Sequence, residues 1–255
     1  MGKIFVESND GRFANQLFPL FYALTLFENN RDKYDKILFK NYIYNRDYRI
    51  SLDVLKKLPK ELTNYISFDK REYDIEFDKY EVGKDFYIDG YCQDLSLIDF
   101  DVIRKYFYCP DNIKEIIHSL YGDISDKICI HVRRGDYLSE DFKDRFISPS
   151  IEYITHSMNE FFEGEKFICI SDDIQWCKEN IKGDIIFADK SDDFLIDFYI
   201  QTITKGNICS ASSFSIAGVI LNPYRKCVIP NKLMKTSEGD KFNMFPQWAI
   251  KQEIL

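Results

Sequence analysis

The sequence predicts an α/β protein made of two Rossmann-like halves with mostly parallel sheets. Three observations carry this expectation. From residue 128 onward, short apolar runs (KICIHV, KFICIS, DIIFAD, NICSA, KCVIP) alternate with helix-like stretches. Runs of that kind are buried on both faces and joined by crossover helices, which makes βαβ units. The chain also opens in that style, with KIFVES, a turn at GRFANQ and an apolar helix at QLFPLFYALTLFENN. Finally, 255 residues with 45% hydrophobic and 16% aromatic content suffice for a substantial core in one large or two small domains.

Taken in order, KIFVES is a strand and QLFPLFYALTLFENN a helix whose Pro19 falls in the first turn, where N–H groups have no intrahelical partner. KILFK, NYISF and FYIDGY are further strands, within a stretch from 31 to 85 that is rich in Tyr, Asp and Lys and otherwise gives no clear pattern. DNIKEIIHSLYG, residues 111–122, is a helix joining the halves. Asp99 suits a helix start. In the second half Ser148 is expected to cap a helix that begins at Pro149. Ser171 or Asp172 caps the next, and later helices start near Asp192 and Ser212. Asn222-Pro223 ends the last of these. The expected divisions are an N-terminal half at 1–122, a C-terminal half at 123–240, and a tail at 241–255. That tail carries Phe245, Trp248, Ile250 and Leu255 and is expected to pack back as a helix.

Net charge is −8, which argues against broad binding of nucleic acid or anionic membranes. The seven cysteines lack zinc-type spacing. Cys129, Cys169, Cys209 and Cys227 lie in apolar runs and read as buried free thiols of a reducing compartment. No signal peptide and no run long enough to span a membrane is apparent, so the expectation is a cytoplasmic protein with at most peripheral membrane association.

Ligands of open α/β sheets sit outside the carboxyl ends of the strands, and four stretches fall there. HVRRGD ends a buried strand with two adjacent guanidinium groups, which fork onto phosphate oxygens and suit a diphosphate. Adjacent strand residues point to opposite faces, so Arg133 is expected to reach a ligand while Arg134 braces the fold. The alternative is that either arginine pairs with Asp136 or another acid. His131 shares the face of Arg133, and Asp136 orients Arg133 or caps the turn. In GRFANQ, a helix N-terminus with Asn15 and Gln16 offers donors, or is an ordinary turn. In ISDD, Asp172 and Asp173 either stabilise a helix start or accept hydrogen bonds from a base or ribose. In ASSFS, Ser212, Ser213, Phe214 and Ser215 form a small anion cradle or a plain cap. GxGxxG, GxxxxGK[ST], GxSxG and a His/Cys cluster are all missing. A clamp of arginine, serine and helix N-termini takes the place of a metal.

GRFANQLF, GYCQD (90–94), HVRRGDY, ISDDIQWCKENI and SSFS occur in this order. Together they resemble the bacterial alpha-1,2-fucosyltransferases, glycosyltransferase family 11, over about residues 11 to 230, with related motifs across the wider fucosyltransferase superfamily. The resemblance implies a GT-B arrangement of two facing Rossmann-like domains, with the acceptor on the N-terminal side. It implies a GDP-fucose donor bound without a metal by the C-terminal half, and inverting transfer to a glycan hydroxyl, α-1,2 to a terminal galactose. Arg133 and Arg134 then belong to the donor site, with Arg133 on the diphosphate. His131, Asp172 and Asp173 lie at the guanosine, Ser212, Ser213, Phe214 and Ser215 at the phosphates, and Asn15 and Gln16 in a loop closing on the donor. Asp136 joins Arg133 among the catalytic residues, and Glu140 and Asp141 are candidates for a general base on the acceptor hydroxyl. Ala14 replaces a glycine usual before Asn-Gln, which implies an altered turn. Cys92 replaces a bulky residue, and Ile216 and Ala217 stand where two tryptophans are common. These departures leave two alternatives: the same fold with another GDP-hexose, or an inactive GDP-sugar binder.

Overall fold

The computed structural model describes residues 1–7, 11–40, 66–68, 81–237 and 243–253. Two compact units emerge, Met1–Pro110 and Asp111–Leu255, so the 111–121 helix belongs with the second.

The first unit contains β1 (Gly2–Glu7), α1 (Phe13–Asn29), β2 (Tyr34–Lys40), β3 (Ile66–Phe68), β4 (Phe86–Ile88) and α2 (Phe100–Tyr106). Its four strands are parallel in the order β3-β2-β1-β4. The buried run Ile4-Phe5-Val6 places β1 at the centre. Helix α1 starts at Phe13 rather than Gln16, and Arg12 precedes it without a side-chain cap. Pro19 therefore lies in the second turn, not the first. Ala14 sits inside the helix, so the expected departure in turn geometry does not arise. Asp99 caps α2 as expected, accepting from the Asp101 and Val102 N–H groups. Of the Tyr-, Asp- and Lys-rich stretch, 41–65 and 69–80 lie outside the described residues, as does Leu255.

The second unit contains α3 (Asp111–Tyr121), β5 (Ile128–Val132), α4 (Ile151–Phe161), β6 (Phe167–Ser171), α5 (Ile174–Asn180), β7 (Ile185–Phe187), α6 (Phe194–Ile203), β8 (Gly206–Ile208), α7 (Ser213–Leu221), β9 (Cys227–Pro230) and β10 (Ile250–Gln252). These strands are parallel in the order β10-β9-β8-β5-β6-β7. The alternation of β5 sorts its side chains. Ile128, Ile130 and Val132 join a core with Tyr153, Ile154 and Met158 of α4 and Cys177 of α5. His131 faces the other way, against Phe214 of α7. On that second face Gly218 of α7 is required by close packing, since a Cβ there would lie 2.9 Å from the Gln201 Cβ of α6. Asn222 ties the same helices together by donating to the Gln201 and Thr204 carbonyls, both at 2.8 Å.

Three local expectations are corrected. Ser150, not Ser148, caps α4, its Oγ accepting from the Tyr153 N–H. Asp173, not Ser171 or Asp172, caps α5, accepting from the Trp176 N–H. The tail packs back as a strand, not a helix. Pro246 lacks a donor and biases Phe245 away from helical backbone, and Ile250–Gln252 extends the open edge of the sheet beside Val228–Pro230. All seven cysteines are free. Among the described residues no helix is long and apolar enough to cross a membrane.

One buried acid on α6 stands apart. Asp197 Oδ1 is buried without a hydrogen-bond partner, and burial, then neighbouring Asp193, raises its pKa to about 8. The folded state thus holds a proton that the unfolded chain releases near pH 4, so this group's stabilising contribution is full at low pH and lost as pH rises through about 8. Asp197→Asn mimics the protonated form. Denaturant unfolding at pH 9 should find the variant more stable than wild type by at least about 1–3 kcal/mol, with the gap closing toward pH 5. A gap independent of pH would show that Asp197 does not titrate.

Candidate functional site

In both sheets the first strand of the unit lies inside the sheet, with later strands added to either side. The chain therefore reverses direction across the sheet between β1 and β4 and between β5 and β8. Crevices at such switch points are where α/β sheets bind ligands. The β1 and β4 ends lead into GRFANQ and GYCQD. The β5 and β8 ends lead into HVRRGD and SASSFS, with SDD on neighbouring β6.

In the second unit, hydroxyls finish the edges of β5. Ser210 Oγ donates to the His131 carbonyl at 2.7 Å and accepts from the Arg133 N–H at 2.8 Å. Ser171 Oγ donates to the Val132 carbonyl at 2.8 Å, and Ser148 Oγ to the Arg133 carbonyl at 3.1 Å. Strand ends left unpaired by the sheet ladder are satisfied this way, and the result fixes where the two arginines leave the strand.

Both arginines are paired with the protein's own acids. Arg133 Nη2 donates to Asp136, and Arg133 Nη1 lies 2.7 Å from Asp172 Oδ2. Arg134 Nε donates to Asp173 Oδ2 at 3.1 Å, and its guanidinium carbon sits 3.7 Å from the Trp176 ring centroid. Arg133 lies 5.5 Å from the Tyr137 ring centroid. Tyr137 donates to the Ala211 carbonyl at 3.2 Å and stacks on Phe146, and burial pushes its pKa up to about 12. Every one of these groups lies at the carboxyl ends of β5, β6 and β8.

The serine cradle is partly committed. Ser212 caps α7 by accepting from the Phe214 N–H at 3.2 Å. Ser215 Oγ shares a hydrogen bond with His131 Nδ1. Ser213 and Phe214 are partly exposed at the helix start. His131 is buried, and burial, then the Arg133 charge, lowers its pKa to about 3. It is a neutral imidazole at working pH, so Arg133 supplies the positive charge there. Glu140 and Asp141 follow on an exposed segment, Glu140 paired with Lys143 at 2.7 Å.

In the first unit, Asn15 Oδ1 accepts from Gln93 Nε2 at 2.9 Å. Gln16 is fully buried, its Nε2 donating to the Gly11 carbonyl at 2.8 Å. The GYCQD turn is sharp, with φ of +86° at Gly90 and +47° at Cys92. A small residue at 92 eases that left-handed backbone.

Sequence reasoning overlooked Trp176, Tyr137, Ser210 and Gln93. Trp176 follows the capping Asp173 by three residues, a spacing that puts both on one helix face. Tyr137 closes the HVRRGDY motif. Gln93 lies within GYCQD, whereas no local signal marks Ser210. Among the described residues no group of three or more His, Cys, Asp or Glu is placed to hold a metal ion.

The family model described as Glycosyl transferase family 11 matches residues 3–251. An Escherichia coli alpha-1,2-colitosyltransferase is 24% identical, covering 95% of this chain and 97% of that protein. The Escherichia coli O-antigen biosynthesis glycosyltransferase WbnK is 23% identical over 65% of this chain and 61% of its own length. The galactoside alpha-(1,2)-fucosyltransferase 1 of Homo sapiens is 32% identical over 58% of this chain and 47% of its own. The chain thus spans nearly all of the first relative and about half to three fifths of the other two. A crystal structure of a glycosyl transferase family 9 protein from Veillonella parvula superposes with a TM-score of 0.52 at 11% identity, covering 100% of this chain and 87% of that one. That likeness shows the GT-B type of α/β fold.

The neutral His131 has a measurable consequence. Its folded pKa lies below the unfolded value near 6.5. The unfolded chain therefore takes up this proton first, and stability present above about pH 6.5 is lost as pH falls toward 3. Chemical unfolding at pH 7 and pH 5 should show wild type losing up to about 1.4 kcal/mol more per pH unit than His131→Gln. Equal losses would mean that His131 already carries its proton in the fold.

Proposed function

We propose, from the premise that this chain belongs to glycosyl transferase family 11 and is a glycosyltransferase, that it moves L-fucose from GDP-fucose to an acceptor glycan. The transfer inverts the anomeric centre and reaches a hydroxyl of a terminal galactose in α-1,2 linkage. The observation that carries this reading is Arg133 at the β5–β8 switch point, its guanidinium oriented by two carboxylates beside the N-terminus of α7. A nucleoside diphosphate leaving group gains negative charge as the glycosidic bond breaks. A preoriented guanidinium stabilises that charge more in the transition state than in the ground state, which is the condition for catalysis. The partly exposed Ser213 at the start of α7 supplies a further donor. Neutral His131 packs beside Arg133 without competing for the anion.

A second reading concerns the sugar alone. The relative named an alpha-1,2-colitosyltransferase matches this chain over nearly the full length of both, which favours a colitosyl group as the alternative cargo on the same GDP.

Calorimetric titration of GDP, GDP-fucose and GDP-mannose into wild type and Arg133→Ala tests the reading. Wild type should bind GDP, the variant should bind it far more weakly, and turnover should fall about 10²–10³-fold, the range for losing one preoriented donor to developing charge. Preference for GDP-fucose, followed by transfer to a galactoside, supports the fucosyl donor. Preference for a GDP-colitose preparation supports the second reading. Absence of GDP binding, or binding unchanged in Arg133→Ala, overturns both.

A further inference from the structure

We propose that Asp172 is the positioning residue of the anion site, holding Arg133 and the Arg134-Gly135 turn in place instead of contacting the base or ribose of the nucleotide. This rests on the reading of Arg133 as a diphosphate ligand. The geometry is specific. Asp172 leaves the carboxyl end of β6, the strand hydrogen-bonded to β5. Its Oδ1 accepts from the Arg134 backbone N–H at 2.9 Å. Its Oδ2 lies 2.7 Å from Arg133 Nη1. One carboxylate thus grips the side chain of one residue and the backbone of the next, so both its oxygens are engaged within the protein.

Gly135 gives independent support. A Cβ at that position would fall 2.4 Å from Asp172 Oδ2 and 3.1 Å from its Cγ. The space that a side chain at 135 would fill is taken by the carboxylate. The glycine of HVRRGDY therefore leaves room for the Asp172 carboxylate in its paired position. Asp136 completes the arrangement by pairing with Arg133 Nη2. The two ion pairs use both terminal nitrogens of the guanidinium and fix its plane. A fixed guanidinium loses less freedom when it meets an anion, which is how a supporting carboxylate raises affinity without touching the ligand.

Neighbouring Asp173 has a different task. It caps α5 and pairs with Arg134, which lies over Trp176. The two acids of SDD therefore serve the two arginines of HVRRGD one to one, each bracing one side chain across the β5–β6 edge.

The test separates positioning from direct contact. GDP binding to Asp172→Asn is measured by calorimetry, and guanosine binding by ligand-detected nuclear magnetic resonance. If Asp172 positions Arg133, GDP affinity falls about 10–100-fold, as for the loss of other supporting partners, while guanosine affinity stays at the wild-type value. If Asp172 holds the base or ribose, guanosine affinity falls as much as GDP affinity, and the proposal is overturned. Gly135→Ala supplies a second arm. It should weaken GDP binding in the Asp172 background and do so much less in Asp172→Ala, because the clash is gone. Additive effects would sink the shared-contact argument. A wild-type protein that fails to bind GDP would bring down the proposed function itself. Wild-type GDP binding with parallel losses of guanosine and GDP in the variant would bring down only the role of Asp172.

Discussion

A guanidinium at the mouth of a buried strand cannot be left unpaired, and the second sheet is arranged around that constraint. Arg133 leaves β5 where Ser210 and Ser171 have closed the hydrogen bonding of its neighbours. Two carboxylates then meet its terminal nitrogens, Asp136 from its own turn and Asp172 from the next strand. Each partner restricts other residues. Asp172 fills the space beside Gly135, and Asp136 opens the short turn that carries Tyr137 against Ala211 and Phe146. The same need is met for Arg134 by Asp173 and the face of Trp176. Removing one partner of such a pair leaves a charge in a partly buried place, which costs more than the pair contributes.

Strand order explains why the motifs lie so far apart in sequence. A doubly wound sheet starts at its middle, so its first strand has later strands on both sides. The loop after β5 therefore meets loops following β6 on one side and β8 on the other, joining residues 133, 172 and 212 at one sheet end. The first unit repeats this logic on a smaller scale. There β1 is flanked by β2 and β4, and Asn15 meets Gln93. The tight backbone at Gly90 and Cys92 sends Gln93 back toward the head of α1. Two copies of one topological rule thus account for the placement of all five motifs.

The βαβ alternation after residue 128 was legible because most of its strands are short apolar runs and the helices from α4 onward have acidic or serine caps. The ends of elements were less so. Capping is decided by which of several neighbouring polar residues reaches a free N–H. In ISDD that is Asp173, because Ser171 turns to the Val132 carbonyl and Asp172 to Arg134. In the SPS of residues 148–150 the second serine caps because the first is drawn to Arg133. The start of α1 was missed because Arg12 offers no capping side chain. The tail was misjudged because its aromatic spacing resembles a helix, whereas the unpaired edge of β9 decides its form. Pairing of the arginines with acids was open from sequence, since 42 Asp and Glu were available and only the fold selects among them. Trp176 and Gln93 acquire their meaning only through contacts made across strands or helices.

The charge balance of the site contains a tension. Two guanidinium groups face three carboxylates, Asp136, Asp172 and Asp173, in a chain that is itself acidic. On charge alone such a cluster would repel a diphosphate. In the proposed donor site, distance and hydrogen bonding work against that repulsion. The carboxylates hold Arg133 by its two terminal nitrogens, and over several ångströms water and counterions weaken their repulsion of an anion. In that proposed site, the in-plane N–H donors that the acids leave over meet the anion at hydrogen-bonding range, where bonds to a charged partner are strongest. The carboxylates lower the total attraction somewhat and in exchange remove the rotational freedom of two long side chains. A lysine at position 133 could not use this device, because an ammonium has no plane for two carboxylates to fix. The requirement for arginine at 133 thus follows from the acids that hold it as well as from the anion proposed for it.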